Sequence, residues 1–306
     1  ESGLEPDSIL DYSLTGMLIT NSLAGLSGGF VGGMILILVD QKYRTRPYYV
    51  SVAIIIFFFI LITGSITFLI SIIYASIEHD FFTDEWRNHL TLLVQNTVHL
   101  KNIMFWAVVV AITYFFLQMS NKFGPGILYK ILIGKYNTPK SEKRVFMFLD
   151  LKSSTTIAEK LGSSKYHEFL KDLFSDITNP ILDSSGEIYQ YVGDEIVISW
   201  PVENQNKYHL CIECYFGIQE KINSLSEKYK EQYGIIPKFK AGAHYGDVIA
   251  GEVGIIKRDI TYSGDILNTT SRIQEECKNL NHPFLISQDL QKLIHKYGSW
   301  NFNSMG

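Results

Sequence analysis

The chain has 306 residues, a formal net charge of −4 and 46% hydrophobic content. That balance excludes the strongly basic class that grips nucleic acid. The length suits two domains, and the composition divides accordingly: long apolar runs dominate up to Ser120 and ordinary amphipathic patterns follow.

The first residue is Glu1 rather than Met, so the true start is expected to lie upstream. Residues 1–120 are expected to form a helical transmembrane domain with spans near 14–39, 50–76 and 103–119. The first span carries Gly25, Gly28, Gly29, Gly32 and Gly33 at GxxxG spacing, which suits either close helix contact or ordinary glycine tolerance in a membrane helix. Lys42, Arg44 and Arg46 place the loop at 40–49 on the cytoplasmic side, and the net acidic loop at 77–102 outside. Part of that outer loop, 85–100, is expected to be an amphipathic surface helix. His79, His89 and His99 share the loop and are expected to be polar surface groups. The third span then returns to the cytoplasm, and an exported amino terminus implies a further helix upstream, four in all.

Residues 121–143 are expected to be a juxtamembrane helix and linker. Pro125 can start the helix, Ile127, Leu128, Ile131, Leu132 and Ile133 give it an apolar face, and Lys130 and Lys135 suit an anionic membrane surface. The segment TPKSEKR is expected to be a flexible tail. It leads into RVFMFLDLKSSTT at 144–156, where a fully apolar strand ends in Asp150. A lone carboxylate closing a buried strand either caps the following turn or meets a cation. A second segment, EIYQYVGDEIVISW at 187–200, reads as a hairpin with Asp194 at its tip. If the two strands are neighbours, Asp150 and Asp194 converge, and with no basic partner in either motif they form a site for hard divalent cations.

Helical patterns cover 153–161, 164–182 and a long stretch at 206–229, where Cys211 and Cys214 are expected to be reduced core cysteines. Residues 239–254 read as two strands about a turn, 258–263 as another strand, 264–279 as a helix, 284–287 as a strand and 288–297 as a helix. Hairpins mixed with helices argue for an α+β sheet.

With FLDLKSSTT, YVGDEIV and YSGDILNTTSR in this order, residues 144–306 resemble the catalytic domain of the class III nucleotidyl cyclases, the adenylate and guanylate cyclases. The membrane half, with FGPGILYKILIGKY, is similar to a bacterial group of cyclases with a compact four-helix anchor. The resemblance implies a ferredoxin-like α+β domain acting as a head-to-tail homodimer, which joins the ribose 3′-hydroxyl to the α-phosphate and releases pyrophosphate. It implies two Mg²⁺ or Mn²⁺ ions per site, held by Asp150, Asp194 and the Leu151 carbonyl. Backbone amides of Leu151, Lys152, Ser153, Ser154 and Thr155, with the Thr155 hydroxyl, would cradle phosphate oxygens, while from the other subunit Asn268 would orient the ribose and Arg272 would stabilise the transition state.

Base selection departs from the family pattern. Gln190 stands where cyclases that take ATP carry Lys, and Thr261 at the partner position is an alternative to Asp in adenylate cyclases. The Glu and Cys of guanylate cyclases are absent from these positions. Gln190 can donate and accept, so it serves adenine or guanine, and Thr261 tips the expectation to ATP, with GTP or a catalytically idle nucleotide sensor as alternatives. The family also continues past residue 306 into a strand with a triphosphate-binding Lys, so the carboxyl terminus is expected to extend further.

Overall fold

The computed structural model describes residues 29–30, 32–38, 47–78, 80–95, 97–124, 126–202, 207–295 and 300–305. The chain divides into two compact units, Glu1–Lys122 and Phe123–Gly306.

The first unit is helical. Residues 29–30 and 32–38 are followed by α1 (Tyr48–Glu78), α2 (Asp84–Gln95) and α3 (Thr97–Phe123). Buried Ile55 and Tyr114 join α1 to α3, with Ile35, Leu36, Val52, Ile54 and Val110 packed around them. Outside this seam Phe57, Phe58, Phe105, Trp106, Phe115 and Phe116 remain exposed, far more apolar surface than a water-facing helix pair carries. Hydroxyls within α1 fold back on their own helix, Thr63 donating to the Phe59 carbonyl and Ser65 to the Leu61 carbonyl, which leaves few polar groups unmet.

The three expected spans fare differently. Among the described residues one helix is long and apolar enough to cross a membrane, through a stretch at Tyr49–Ile66 with mean hydropathy 2.5. The third span contains only a shorter apolar stretch, Met104–Ser120, within α3. The first span lies largely outside the described residues, as do Gly25 and Gly28, the basic loop at 40–46 and His79. The expected outer loop is mostly helix. The Thr83 hydroxyl accepts from the Trp86 N–H, and Asp84 and Glu85 occupy the favourable first turn of α2, so α2 starts there, while α3 begins at Thr97.

The second unit is built on β1 (Lys140–Leu151). In sequence it is preceded by α4 (Ile127–Leu132) and followed by α5 (Ser154–Leu161), α6 (Ser163–Asp176), α7 (Thr178–Asp183), β2 (Glu187–Val192) and β3 (Glu195–Pro201). The second half comprises α8 (Leu210–Ser224), α9 (Ser226–Tyr233), β4 (Phe239–Val253), β5 (Asp259–Ser263), α10 (Asp265–Asn279), β6 (Phe284–Ile286) and α11 (Gln288–Ile294). The sheet order is β2-β3-β1-β4-β5, with β6 parallel to β4 and the other pairs antiparallel. The βαββαβ succession with β1 between β3 and β4 is the expected ferredoxin-like α+β arrangement, extended by β5 and β6.

Strand alternation assigns β1 to two cores. Val145, Met147, Leu149 and Leu151 join the large cluster under the helices, while Phe146 and Phe148 join a smaller cluster with Val197, Val248 and Ile266 on the opposite face. This is why the run reads as apolar on both faces. Gly242 lets α10 settle on the sheet, since a Cβ there would stand 2.4 Å from the Gln274 backbone nitrogen.

Four sequence expectations are corrected here. Part of the flexible tail is strand, because Lys140–Lys143 pair with β4 up to Ala250. The same long ladder keeps β4 one continuous strand rather than two about a turn. The helix expected at 206–229 breaks at Leu225 into α8 and α9, with residues 203–206 outside the described set. Lys130 and Lys135 meet carboxylates of this unit, Glu187 and Glu142, rather than standing free for lipid headgroups. Cys211 and Cys214 lie buried on α8, and burial pushes the Cys214 thiol up to about 12.

Candidate active site

The paired strands bring the two aspartates together. Asp150 is opposite Glu195 in the β1–β3 ladder, and Asp194 closes the turn between β2 and β3, where Gly193 takes φ 63°. Burial pushes the Asp150 carboxyl up, the Lys240 ammonium opposes this, and the neighbouring Asp194 carboxyl raises it further. Glu195 is pushed up to about 7 by burial, then by Asp150 and Asp194. Three carboxyl groups thus crowd one end of the sheet against one ammonium.

That ammonium comes from outside both motifs. Lys240, beside Asp150 on β4, places Nζ 2.9 Å from Asp150 Oδ2. Buried Gln274 on α10 donates from Nε2 to the same oxygen at 3.1 Å. Sequence reading missed both, because neither lies in the three motifs; the alternation that puts Lys240 opposite Asp150 depends on the strand register. Tyr166 on α6 was missed too. Its hydroxyl is shifted up by burial and by Asp194 and Asp150, and it bonds with Ser154.

The donor set fits a hard divalent cation in its chemistry: two carboxylates at mutual repulsive range, with the Leu151 carbonyl at the end of the same strand. Among the described residues no group of three or more His, Cys, Asp or Glu is gathered in a geometry that holds a metal by side chains alone.

Past the strand, Ser153 takes φ 59° and α5 starts at Ser154. The Lys152 amide donates to the Lys238 carbonyl at 2.8 Å, so within the cradle expected at 151–155 that one amide is already engaged. Thr155 is exposed at the helix start.

On α10, buried Gln274 faces its own protomer's Asp150, whereas Asn268 and Arg272, one turn apart, are exposed. Arg272, two residues before Gln274, stands by helical period on another side of α10 from the contact with Asp150. Gln190 on β2 is exposed, and Thr261 on β5 is half-buried with its hydroxyl 3.4 Å from the Gly251 carbonyl. The β2–β3 register shifts between Ile188 and Gln190, a bulge that pairs Gln190 with Val197.

Comparison with known proteins agrees with this architecture. The pattern described as the adenylate and guanylate cyclase catalytic domain matches residues 137–300. The chain belongs to that family. It is 38% identical over 180 residues to Adenylate cyclase 2 of Rhizobium meliloti strain 1021, covering 59% of this chain and 50% of that protein. Adenylate cyclase 1 of the same organism is 26% identical over 147 residues, covering 46% of this chain and 22% of that protein. The chain thus spans half or less of the length of these curated relatives. A solved structure of a bacterial light-regulated adenylyl cyclase shares the fold, with a TM-score of 0.59 at 20% identity over 70% of this chain and 63% of that one. Catalytic domains of this family use divalent cations, magnesium or manganese.

Proposed function

We propose that the chain is a membrane-anchored adenylate cyclase that converts ATP to cyclic AMP and pyrophosphate at two equivalent sites between paired copies. The observation that carries this reading is the convergence of Asp150 and Asp194 at the ends of neighbouring strands, with Glu195 beside them. The 38% identical relative named Adenylate cyclase 2 supports ATP as the substrate.

Asp150, Asp194 and the Leu151 carbonyl would hold two Mg²⁺ or Mn²⁺ ions, whose chemistry is to acidify the ribose 3′-hydroxyl and neutralise the triphosphate. Gln274 and Lys240 keep Asp150 Oδ2 oriented, leaving Oδ1 for a ligand. With a nucleotide bound, Lys240 has phosphate oxygens as an alternative partner. Amides at the start of α5 and the Thr155 hydroxyl receive phosphate oxygens. Asn268 of the partner subunit would then orient the ribose. Arg272 of the partner subunit would meet the charge that grows on the α-phosphate. Gln190 and Thr261 would contact the base.

Dimerisation is supported by exposed apolar side chains, Tyr191 and Val192 on β2 next to the Asp194 turn, and Ile255 and Ile256 past the other end of the sheet, beyond β4. The exposed aromatic surface of α1 and α3 supports membrane anchoring; anchoring by several spans, with the second unit cytoplasmic, would follow from the sequence pattern. The test is full-length protein with ATP and Mn²⁺. Cyclic AMP is expected from the native chain and not from Asp150→Ala; cyclic GMP as the preferred product would transfer the reading to guanylate cyclase, and binding without turnover to a sensor.

A further inference from the structure

At the other end of β1 lies a group of buried charges that the chemistry above does not use. Arg144 is fully buried and ion-paired to two carboxylates, to Glu142 through Nη1 at 2.8 Å and to Glu187 through Nη2. Nη2 also donates to Ser199 Oγ at 3.1 Å, and the guanidinium lies 4.7 Å from the Tyr262 ring centroid. Among the described residues its Nε alone is left without an acceptor, so the grip is on the two carboxylates and the ring.

Two of the partners lie on the edge strands. Glu187 begins β2 and Tyr262 belongs to β5, which sit at opposite ends of the order β2-β3-β1-β4-β5. From the central strand Arg144 therefore reaches both edges across the sheet face. The edges also meet directly: the Tyr189 and Tyr262 rings are edge-to-face at 4.9 Å, and both pack edge-on against Phe146, at 6.3 and 5.4 Å. Tyr189 precedes Gln190, and Tyr262 follows Thr261. The two base-contact positions are thus carried by neighbours of rings that Arg144 and Phe146 hold together.

The clamp has a handle. Lys130 of α4 places Nζ 2.6 Å from Glu187 Oε1, while Glu187 Oε2 holds Arg144. Lys135 reaches Glu142 Oε1 at 3.0 Å, and the Tyr136 hydroxyl donates to the same oxygen. In sequence α4 follows directly on α3, the last apolar helix.

We infer that Arg144 is a positioning residue for the base site, holding β2 and β5 at the spacing that lets Gln190 and Thr261 engage one base, and that Lys130 sets this grip through Glu187. The inference rests on the cyclase reading for the identity of the base site. It gives the juxtamembrane helix a defined point of action, the β2 edge, rather than the metal end of the strand.

The experiment uses the full chain in detergent with 3′-deoxy-ATP and 3′-deoxy-GTP, which lack the hydroxyl that reacts, and with inorganic pyrophosphate as a probe of the phosphate end alone. Lys130→Gln is expected to weaken 3′-deoxy-ATP binding by roughly fivefold, the scale of one lost charged hydrogen bond. Pyrophosphate affinity should stay within about twofold. Lys130→Arg, which keeps the charge, should bind like the native chain, and Arg144→Lys should weaken nucleotide binding further if it folds. Unchanged 3′-deoxy-ATP binding in Lys130→Gln, or an equal loss for pyrophosphate, overturns the inference. The two readings fail separately: a native chain that binds nucleotide but turns over neither ATP nor GTP removes the cyclase reading while these ratios still decide the clamp. A native chain that binds neither analogue removes both.

Discussion

The two ends of β1 treat carboxylates in opposite ways. At the Arg144 end burial raises Glu142 and Glu187, but hydrogen bonds and charge from Arg144, Lys135 and Lys130 outweigh it, and both carboxyls sit below the usual range. At the Asp150 end burial again raises the carboxyls, and there the neighbours are more carboxylates with one Lys, so Asp150 and Glu195 end above it. Burial is common to both; the count of cations differs. The first end is a finished structural network and the second is short of positive charge, which is the condition that recruits a divalent ion.

The largest expected effect comes from removing a ligand at the open end. Asp194→Ala should lower cyclic AMP formation by about 10³-fold, several kcal/mol of transition-state stabilisation, with little change in melting temperature. A comparable fall in melting temperature would make Asp194 structural and erase the contrast.

At the closed end the loss should appear in stability. Arg144→Ala leaves Glu142 and Glu187 without their shared buried partner, and a destabilisation of about 3–5 kcal/mol is expected in urea unfolding of the full chain. A change below 1 kcal/mol would mean the network is not the brace that its burial suggests.

Cation addition should act on one end only. Mn²⁺ at about 100 times its dissociation constant is expected to stabilise the protein by about 2.7 kcal/mol, and Asp150→Asn should abolish most of that gain. Persistence of the full gain in the variant would place the cation elsewhere.

The smallest effect is the acid limb. Glu142 and Glu187 have folded pKa values depressed below 4.5, so their stabilisation is fully present above that pH and is lost as pH falls through the folded values. Melting temperature should therefore drop below pH 4.5, and Glu187→Gln should flatten that limb. An unaltered limb in the variant would show that other groups govern acid unfolding.

Much of the metal end could be read without coordinates. An apolar run ending in Asp150 and a Gly-Asp turn at Asp194 are local patterns, and antiparallel pairing of β1 with β3 suffices to join them. The exposed face of α10 was equally legible, since Asn268 and Arg272 are set by helical period alone. Lys240 and Gln274 were not, because each reaches Asp150 from a different element through register and helix docking.

The sequence by itself determined the α+β class, the strand ends that bear the aspartates and the division into an apolar and an amphipathic half, since these follow from periodicity and short-range spacing. Tertiary structure alone decided that the supposed tail at Lys140–Lys143 is strand, that Lys130 and Lys135 turn toward carboxylates, and that Arg144 spans the sheet. The physical reason is that charge pairing depends on distance in space, and Glu187 meets Arg144 and Lys130 only once the hairpin has folded against the central strand.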